Sequence, residues 1–561
     1  MEVKKIISNA ITLKIDNINY EELITPVQEG LEGDYCIPCF TFAKALRKSP
    51  LEIATIIKDS VKDNTYIEKM EVVGGYLNFY LRNNVLIENV LKEAKTSTCF
   101  FEDKEYDKKI ICIDYSSVNL AKYMHIGHLS TTMIGESLAR IYEAKGYKAV
   151  RINYIGDYGT PFGKMMHAHL SWGNDKELEK RGVDYLQELY VEFCKRAEED
   201  EVYEQKAREY FKKIEEKDEH IYPIYQKFIN VSKLETKEIL DKLDVHFDSW
   251  KGESAYTNKL DEVVEELQIK NIVVTSEGAQ VVDLNPYNLG ICLIQKSDGT
   301  SLYATRDIAA AKDRYNEYKF DKMLYVTAVQ QKLHFEQFFK VLELMGYEFS
   351  KDLFHIYYGM FSLPDGKIAS RKGKQAILKD LMEYSYNKAY AIVQDREFKI
   401  ENKESVANKI AMSTLKFNAL KKERIKDAVF DIDNSFSFDG DTSTYLQYTY
   451  ARIASILRKV EIKSIEEVNY SYLNKEDIYK FVLSLNRYKE TLNQAMLKNE
   501  PSILSKYAFD ICKLFNKIYT SEKIICDNFE ETRAKVFLLT TIKQTLTNLY
   551  KLICVDTIEE M

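Results

Sequence analysis

The sequence predicts an α/β protein: a doubly wound parallel sheet interrupted by a helical insertion, preceded by a small α/β domain and followed by an all-α bundle. Three observations carry this. A buried apolar run, a helix and a second strand follow one another between Lys109 and Tyr154. A Glu- and Lys-rich stretch, roughly 165–290, has helical spacing. From Gln375 to the end the chain holds one glycine, Gly440, and one proline, Pro501. So few breakers over that length predict helices.

The elements follow in order. Residues 1–105 read as the small α/β domain, with helix-like patterns over Phe40–Leu46 and Leu51–Val61. Val72–Tyr80 alternates like a strand around Gly74 and Gly75. The polar residues 101–108 make a linker. The second domain spans 106–374. Its Ile110–Ile113 run suits a parallel strand buried on both faces. A helix follows from about Ile126 to Lys145, with Leu129, Met133, Leu138 and Ile141 on its apolar side and Gly146 as its stop. Lys148–Tyr154 is the next strand, which completes a βαβ unit of Rossmann type. The second half is Met323–Val329 as strand, Leu333–Leu344 as helix and His355–Tyr358 as strand, after the insertion. Residues 375–440 read as a helical stem. In 441–561, Leu446, Thr449, Ile453, Ile456 and Val460 recur at helical spacing, which predicts a bundle.

Bulk properties narrow the class. The chain has 561 residues, too many for one core. It is 45% hydrophobic and 30% charged, the profile of a soluble globular protein. No apolar run reaches a membrane span, and Met1–Lys5 lacks a signal-peptide core, so a cytoplasmic protein is expected. Nine scattered cysteines fit reduced thiols. Cys36-x-x-Cys39 has no second pair to complete a zinc site, and His167-x-His169 alone is a weak metal signal, so no metal site is assigned. A net charge of −8 argues weakly against nucleic acid, although a local basic stripe can sit on an acidic body.

Two segments carry phosphate chemistry. His125-Ile126-Gly127-His128 follows a strand and opens a helix, where amide groups favour anions. Gly127 lets a nucleotide come close, and the two imidazoles can donate to phosphate oxygens as charge develops. Asp365–Lys374 is a basic run flanked by glycines; Lys367, Arg371 and Lys372 can neutralise β- and γ-phosphate charge as pyrophosphate leaves. Together they point to ATP opened at its α-phosphate. A further pair, Tyr303 and Asp307, is spaced i, i+4 on a predicted helix, so hydroxyl and carboxylate share a face. Asp114 ends the first strand, where ligands bind in open α/β sheets. A planar cation with a fork of donors, such as a guanidinium, asks for carboxylates in its plane.

These residues carry a resemblance. Ser116–His128 resembles the signature of class I aminoacyl-tRNA synthetases in its arginyl form. Asn153–Gly163, Asp298–Asp307, Gln331–Phe335 and Tyr445–Tyr448 are similar to further blocks of that family, as are Gly33–Tyr35 and Ile558–Met561 near the two ends. The basic loop departs from the usual K-M-S-K-S: Ser370 stands where the second lysine would be. Arginyl enzymes commonly lack that lysine, and the resemblance puts Lys122, three residues before the first histidine, in its place. Val118 for proline and Ala369 for serine are departures at positions that need no reacting side chain.

The resemblance implies an arginine–tRNA ligase. The arginine carboxylate would attack the ATP α-phosphorus in line, Mg2+-pyrophosphate would leave, and the terminal ribose of tRNA(Arg) would take the arginyl group. Bound tRNA would be needed for the first step. ATP would lie against Lys122, His125, Gly127, His128 and Lys367. Asp307 and Asp114 would hold the guanidinium with help from Tyr303, and Ser117, Asn119 and Gln331 the α-amino and carboxylate end. The bundle would hold the anticodon through Tyr445, Tyr448, Arg452 and Arg458, the N-terminal domain would meet the tRNA elbow, and the protein would be a monomer. The two tyrosines have a competing reading as core residues. Two other functions compete: a small-molecule nucleotidyltransferase, which needs neither terminal domain, and a catalytically silent tRNA-binding paralogue.

Overall fold

The computed structural model describes residues 2–15, 18–27, 31–97, 100–101, 104–297, 303–364, 376–394, 402–460 and 468–561. Near the N-terminus lies a four-stranded antiparallel sheet of β1 (Thr25–Pro26), β2 (Tyr35–Pro38), β3 (Ile67–Val73) and β4 (Tyr76–Leu81), in the order β1-β2-β4-β3. The alternating run expected as one strand is thus split: Val72 and Val73 end β3, and Gly74 and Gly75, both at positive φ, make the hairpin turn into β4.

The second sheet is parallel. It comprises β5 (Ile110–Asp114), β6 (Lys148–Ile152), β10 (Lys322–Tyr325) and β11 (Leu353–His355), in the order β11-β10-β5-β6. Successive side chains leave a strand on opposite faces, so a strand with no polar face must be covered twice. Ile111, Ile113 and Leu324 join Leu129, Met133 and Leu138 of the Ile126–Ala144 helix in one core. Cys112, Val150 and Met323 pack with Ile308 and Ala311 of the Tyr303–Tyr318 helix and Phe338 and Leu342 of the Lys332–Leu344 helix in another. The register aligns the carboxyl ends: His355, Tyr325, Asp114 and Ile152 form one row across the sheet.

Gly135 lets the first helix lie close to the strand end. A Cβ there would come 2.2 Å from Cγ of Tyr115. The fully buried Tyr115 instead lies across the helix, and its hydroxyl donates to Glu136 at 2.7 Å.

Between the sheet's halves come helices from Thr160–Trp172 to Leu260–Ile269, then a three-stranded antiparallel sheet, β7 (Val274–Ser276), β8 (Ala279–Asp283) and β9 (Ile291–Gln295). Helical spacing did not announce this sheet. Its local signal is the Glu277–Gly278 turn, at φ 49° and 82°, the primed geometry that matches strand twist.

The C-terminal part holds helices from Leu378–Gln394 to Phe529–Leu552. The chain end returns to the parallel sheet's first helix: Ser137 Oγ donates to the Leu552 carbonyl at 2.7 Å and Arg140 to that of Lys551 at 3.1 Å. Among the described residues no helix is long and apolar enough to cross a membrane.

Candidate active site

The loop from Tyr115 to His125 leaves β5 with three non-glycine residues at positive φ: Ser116 (69°), Ser117 (44°) and Ala121 (60°). Such backbone persists only where surroundings hold it. Here Thr131 Oγ1 accepts from the Ser116 amide at 3.3 Å, and Leu120 donates to the Gly156 carbonyl at 3.0 Å. Gly156 has no room for a side chain, since its Cβ would lie 2.2 Å from Oδ1 of Asn119. Asn119 is exposed and Ser117 half-buried.

The two histidines cap their own helix reciprocally. Nδ1 of His125 accepts from the Gly127 amide at 3.1 Å, and Nδ1 of His128 accepts from the His125 amide at 3.1 Å. Two helix-end amides expected to face phosphate are therefore taken by the imidazoles. An imidazole accepting at Nδ1 carries its proton on Nε2, so both rings present a neutral N–H donor. Burial, then the neighbouring His125, holds His128 down at about 3, and burial also lowers His125. Burial thus favours the neutral form of both rings, in which each Nε2–H can donate to a phosphate oxygen.

The basic run from Lys367 to Lys372 lies outside the described residues, and no geometry is assigned to Lys367, Arg371 or Lys372. The residues directly after it sit on the histidines: Ile126 donates to the Ala376 carbonyl at 3.2 Å and Leu378 to that of Met124 at 2.8 Å. Lys122 is exposed, with Nζ 6.0 Å from the centre of the Tyr190 ring.

Asp307 projects from the Tyr303–Tyr318 helix, with one oxygen 2.6 Å from Nε2 of His334. Tyr303 opens that helix, 65% exposed, with the Arg306 guanidinium 5.0 Å from its ring centre. Gln331 is exposed at the start of the Lys332–Leu344 helix. Asp114 lies at the expected strand end, but its carboxylate is engaged within the protein. It accepts from Ser117 Oγ at 3.0 Å and lies 2.8 Å from a terminal nitrogen of Arg314, which is buried with it. The guanidinium neighbour expected of Asp114 is here a residue of the chain.

Sequence reasoning missed Arg314, although it stands seven residues after Asp307, two turns along the same face. It also missed Glu253, in a polar stretch with no local pattern. Glu253 lies 3.4 Å from Arg306, and burial pushes its carboxyl to about 7, with Arg306 opposing and Asp307 and Asp157 adding to the rise. A testable consequence follows. As the pH falls through 7, Glu253 takes a proton and the pocket loses negative charge, so the KM of a cationic substrate should rise. Glu253→Gln should flatten that rise between about pH 6 and 8 in steady-state kinetics.

Around these residues several buried polar atoms have no protein partner: both amide atoms of Asn153 and the hydroxyls of Tyr154 and Tyr325. Such orphans are rare unless a ligand or water meets them. Tyr325 ends β10, and Asn153 and Tyr154 directly follow β6, at the edge where ligands bind in this sheet type.

On the helical bundle, Tyr445 and Tyr448 are half-buried. Tyr445 accepts from Asn516 Nδ2 at 2.7 Å; Arg452 donates to Tyr448 at 2.9 Å and to Asn516 at 3.1 Å, and its guanidinium lies 5.1 Å from the Tyr519 ring centre. Arg458 donates to the Glu559 carbonyl at 2.9 Å.

The model for the catalytic domain of class I tRNA synthetases (R) matches residues 87–432, that for the arginyl-tRNA synthetase N-terminal domain residues 1–81, and that for the DALR anticodon-binding domain residues 446–561. An arginine–tRNA ligase of Clostridioides difficile (strain 630) is 38% identical over 564 residues, covering 100% of both chains. One of Clostridium perfringens (strain 13 / Type A) is 39% identical over 570 residues, again covering 100% of both. The solved structure of Thermus thermophilus arginyl-tRNA synthetase shares the fold, with a TM-score of 0.81 at 23% identity over 96% of each chain. On these matches, which run the whole length of the chain, it belongs to the arginine–tRNA ligases, the arginyl branch of the class I aminoacyl-tRNA synthetases.

Proposed function

We propose that this protein activates L-arginine with ATP and transfers it to tRNA(Arg), releasing AMP and pyrophosphate. The observation that carries the reading is that the capped His125–His128 pair opens the helix following β5 while the Asp307 carboxylate is close enough to Asp114, at the carboxyl end of β5, to act on it electrostatically. ATP enters as its Mg2+ complex. Its α-phosphate is attacked in line by the arginine carboxylate, and the Nε2–H groups of His125 and His128 donate to the phosphate oxygens as charge shifts toward pyrophosphate. Gly127 leaves space for the nucleotide, Lys122 supplies the cation that Ser370 does not, and Lys367, Arg371 and Lys372 neutralise the departing phosphates.

Asp307 takes the substrate guanidinium, with Tyr303 on the same face. Asp114, already paired with Arg314, contributes as a fixed negative charge behind Asp307 and as the anchor of Ser117. Ser117, Asn119 and Gln331 hold the α-amino and carboxylate end. Residues 1–105 meet the tRNA elbow, 106–374 perform the chemistry, 375–440 form the stem and 441–561 hold the anticodon. There Tyr445, Tyr448 and Arg452 offer a half-exposed aromatic and cationic cluster for unstacked bases. The protein acts as a cytoplasmic monomer.

Arginine-dependent ATP–pyrophosphate exchange, with and without cognate tRNA, tests the proposal. Exchange with arginine that requires tRNA is expected. No exchange in either condition would leave a silent tRNA-binding paralogue, and exchange driven by another acid without tRNA would mark a small-molecule nucleotidyltransferase.

A further inference from the structure

Lys122 is the cation on which the proposed phosphate chemistry leans, and its neighbours in the chain are held almost entirely by the insertion. Ala121, on its left, is buried at φ 60°. The amide of Ala121 donates to Ser232 Oγ at 3.1 Å, and its carbonyl accepts from the side-chain amide of Gln187. Ser232 donates its own proton to the Phe228 carbonyl at 2.7 Å, so its lone pair stays aimed at Ala121. On the other side of Lys122, the Tyr123 hydroxyl donates to Asp184. The lysine ammonium itself lies toward the Tyr190 ring. Asp184, Gln187 and Tyr190 are spaced by three on the Val183–Glu199 helix and so present one stripe to the loop. Ser232 comes from the neighbouring Ile221–Lys242 helix.

We propose that this stripe of the insertion is the positioning element for Lys122. Gln187 and Ser232 fix the Ala121 peptide in a conformation that alanine adopts only under constraint, and Asp184 fixes Tyr123. The lysine between them then has its Cα direction set from both sides. Tyr190 supplies a weak resting place for the exposed ammonium, from which a triphosphate can draw it. The insertion thus acts on ATP through a lysine it does not itself contain. The inference rests on the phosphate role given to Lys122 above.

The test is a double-mutant cycle on the full-length protein with Mg2+-ATP, L-arginine and cognate tRNA, read as single-turnover adenylate formation. Gln187→Met and Tyr123→Phe should each slow the step about 10- to 100-fold, as expected for a misplaced catalytic group. The dissociation constant for arginine should stay within about 2-fold, and the melting temperature within about 2 °C. In a Lys122→Ala background neither substitution should slow the step further. Losses that multiply in that background would show that Gln187 and Tyr123 act independently of Lys122 and would overturn the proposal. So would an undiminished rate in both single variants. A normal rate in Lys122→Ala alone would instead remove the underlying role of the lysine, and the positioning proposal with it.

Discussion

Asp307→Asn is expected to lower kcat/KM for arginine by about 10²–10³-fold, almost wholly through KM, while the KM for ATP changes by less than about 3-fold. The size follows from the role proposed for the carboxylate. One of its oxygens is held by His334 at 2.6 Å, which fixes the side chain and leaves the other oxygen for a ligand. Its side chain is 22% exposed, so an arriving guanidinium would complete its burial. Removing one partner of a desolvated ion pair costs about 3–5 kcal/mol, because the charge left behind has neither water nor counter-ion. Asparagine keeps the shape and removes the charge, so the effect reports electrostatics and not packing. Steady-state kinetics at saturating ATP and tRNA would show it. Unchanged arginine kinetics would place the guanidinium elsewhere in the pocket.

Arg314→Met should cost stability more than any surface change. The Arg314 and Asp114 side chains are 4% and 5% exposed, and the pair lies between the sheet and the Tyr303–Tyr318 helix. Burial already raises Asp114 above its ordinary value, with Arg314 opposing. Without the arginine, the Ser117 hydroxyl still donates to the carboxylate at 3.0 Å, one neutral donor in place of a cation. A loss of about 3–5 kcal/mol is expected, seen as a melting temperature roughly 10 °C lower. The pH dependence has a definite sign. An acid whose folded pKa lies above its unfolded value binds more protons when folded, so stability falls as the pH rises through that window. The deficit of the variant should therefore shrink as the pH is lowered toward 4. A neutral pairing, Arg314→Met with Asp114→Asn, should recover part of the loss, whereas a simple packing defect would not be relieved.

Much of the scaffold was legible because it depends on local pattern. Ile110–Ile113 has no polar alternate residue, and only a strand covered on both faces tolerates that. Gly146 stands just beyond the Ile126–Ala144 helix, where a stop was expected. The histidine pair at that helix's start was also readable, but not its reciprocal capping, which depends on rotamers. The β7–β9 sheet was missed because its strands are only three to five residues long and directly follow the Glu- and Lys-rich helices of the insertion, whose helical spacing dominates the stretch. Asp114 shows the harder limit. Its place at a strand end follows from the run before it, yet its partner lies 200 residues away on a helix, and no local periodicity encodes such a pairing.

The contact between the chain's last helix and the helix that begins at His125 has a mechanical consequence. Ser137 and Arg140 grip the carbonyls of Leu552 and Lys551 only a few turns beyond the capped imidazoles. The two helices are coupled end to flank, so a tilt of the bundle would be passed as torque to the base of the capped imidazoles. Any displacement of that last helix would thus be felt directly by the helix that carries His125 and His128, with a single joint between them.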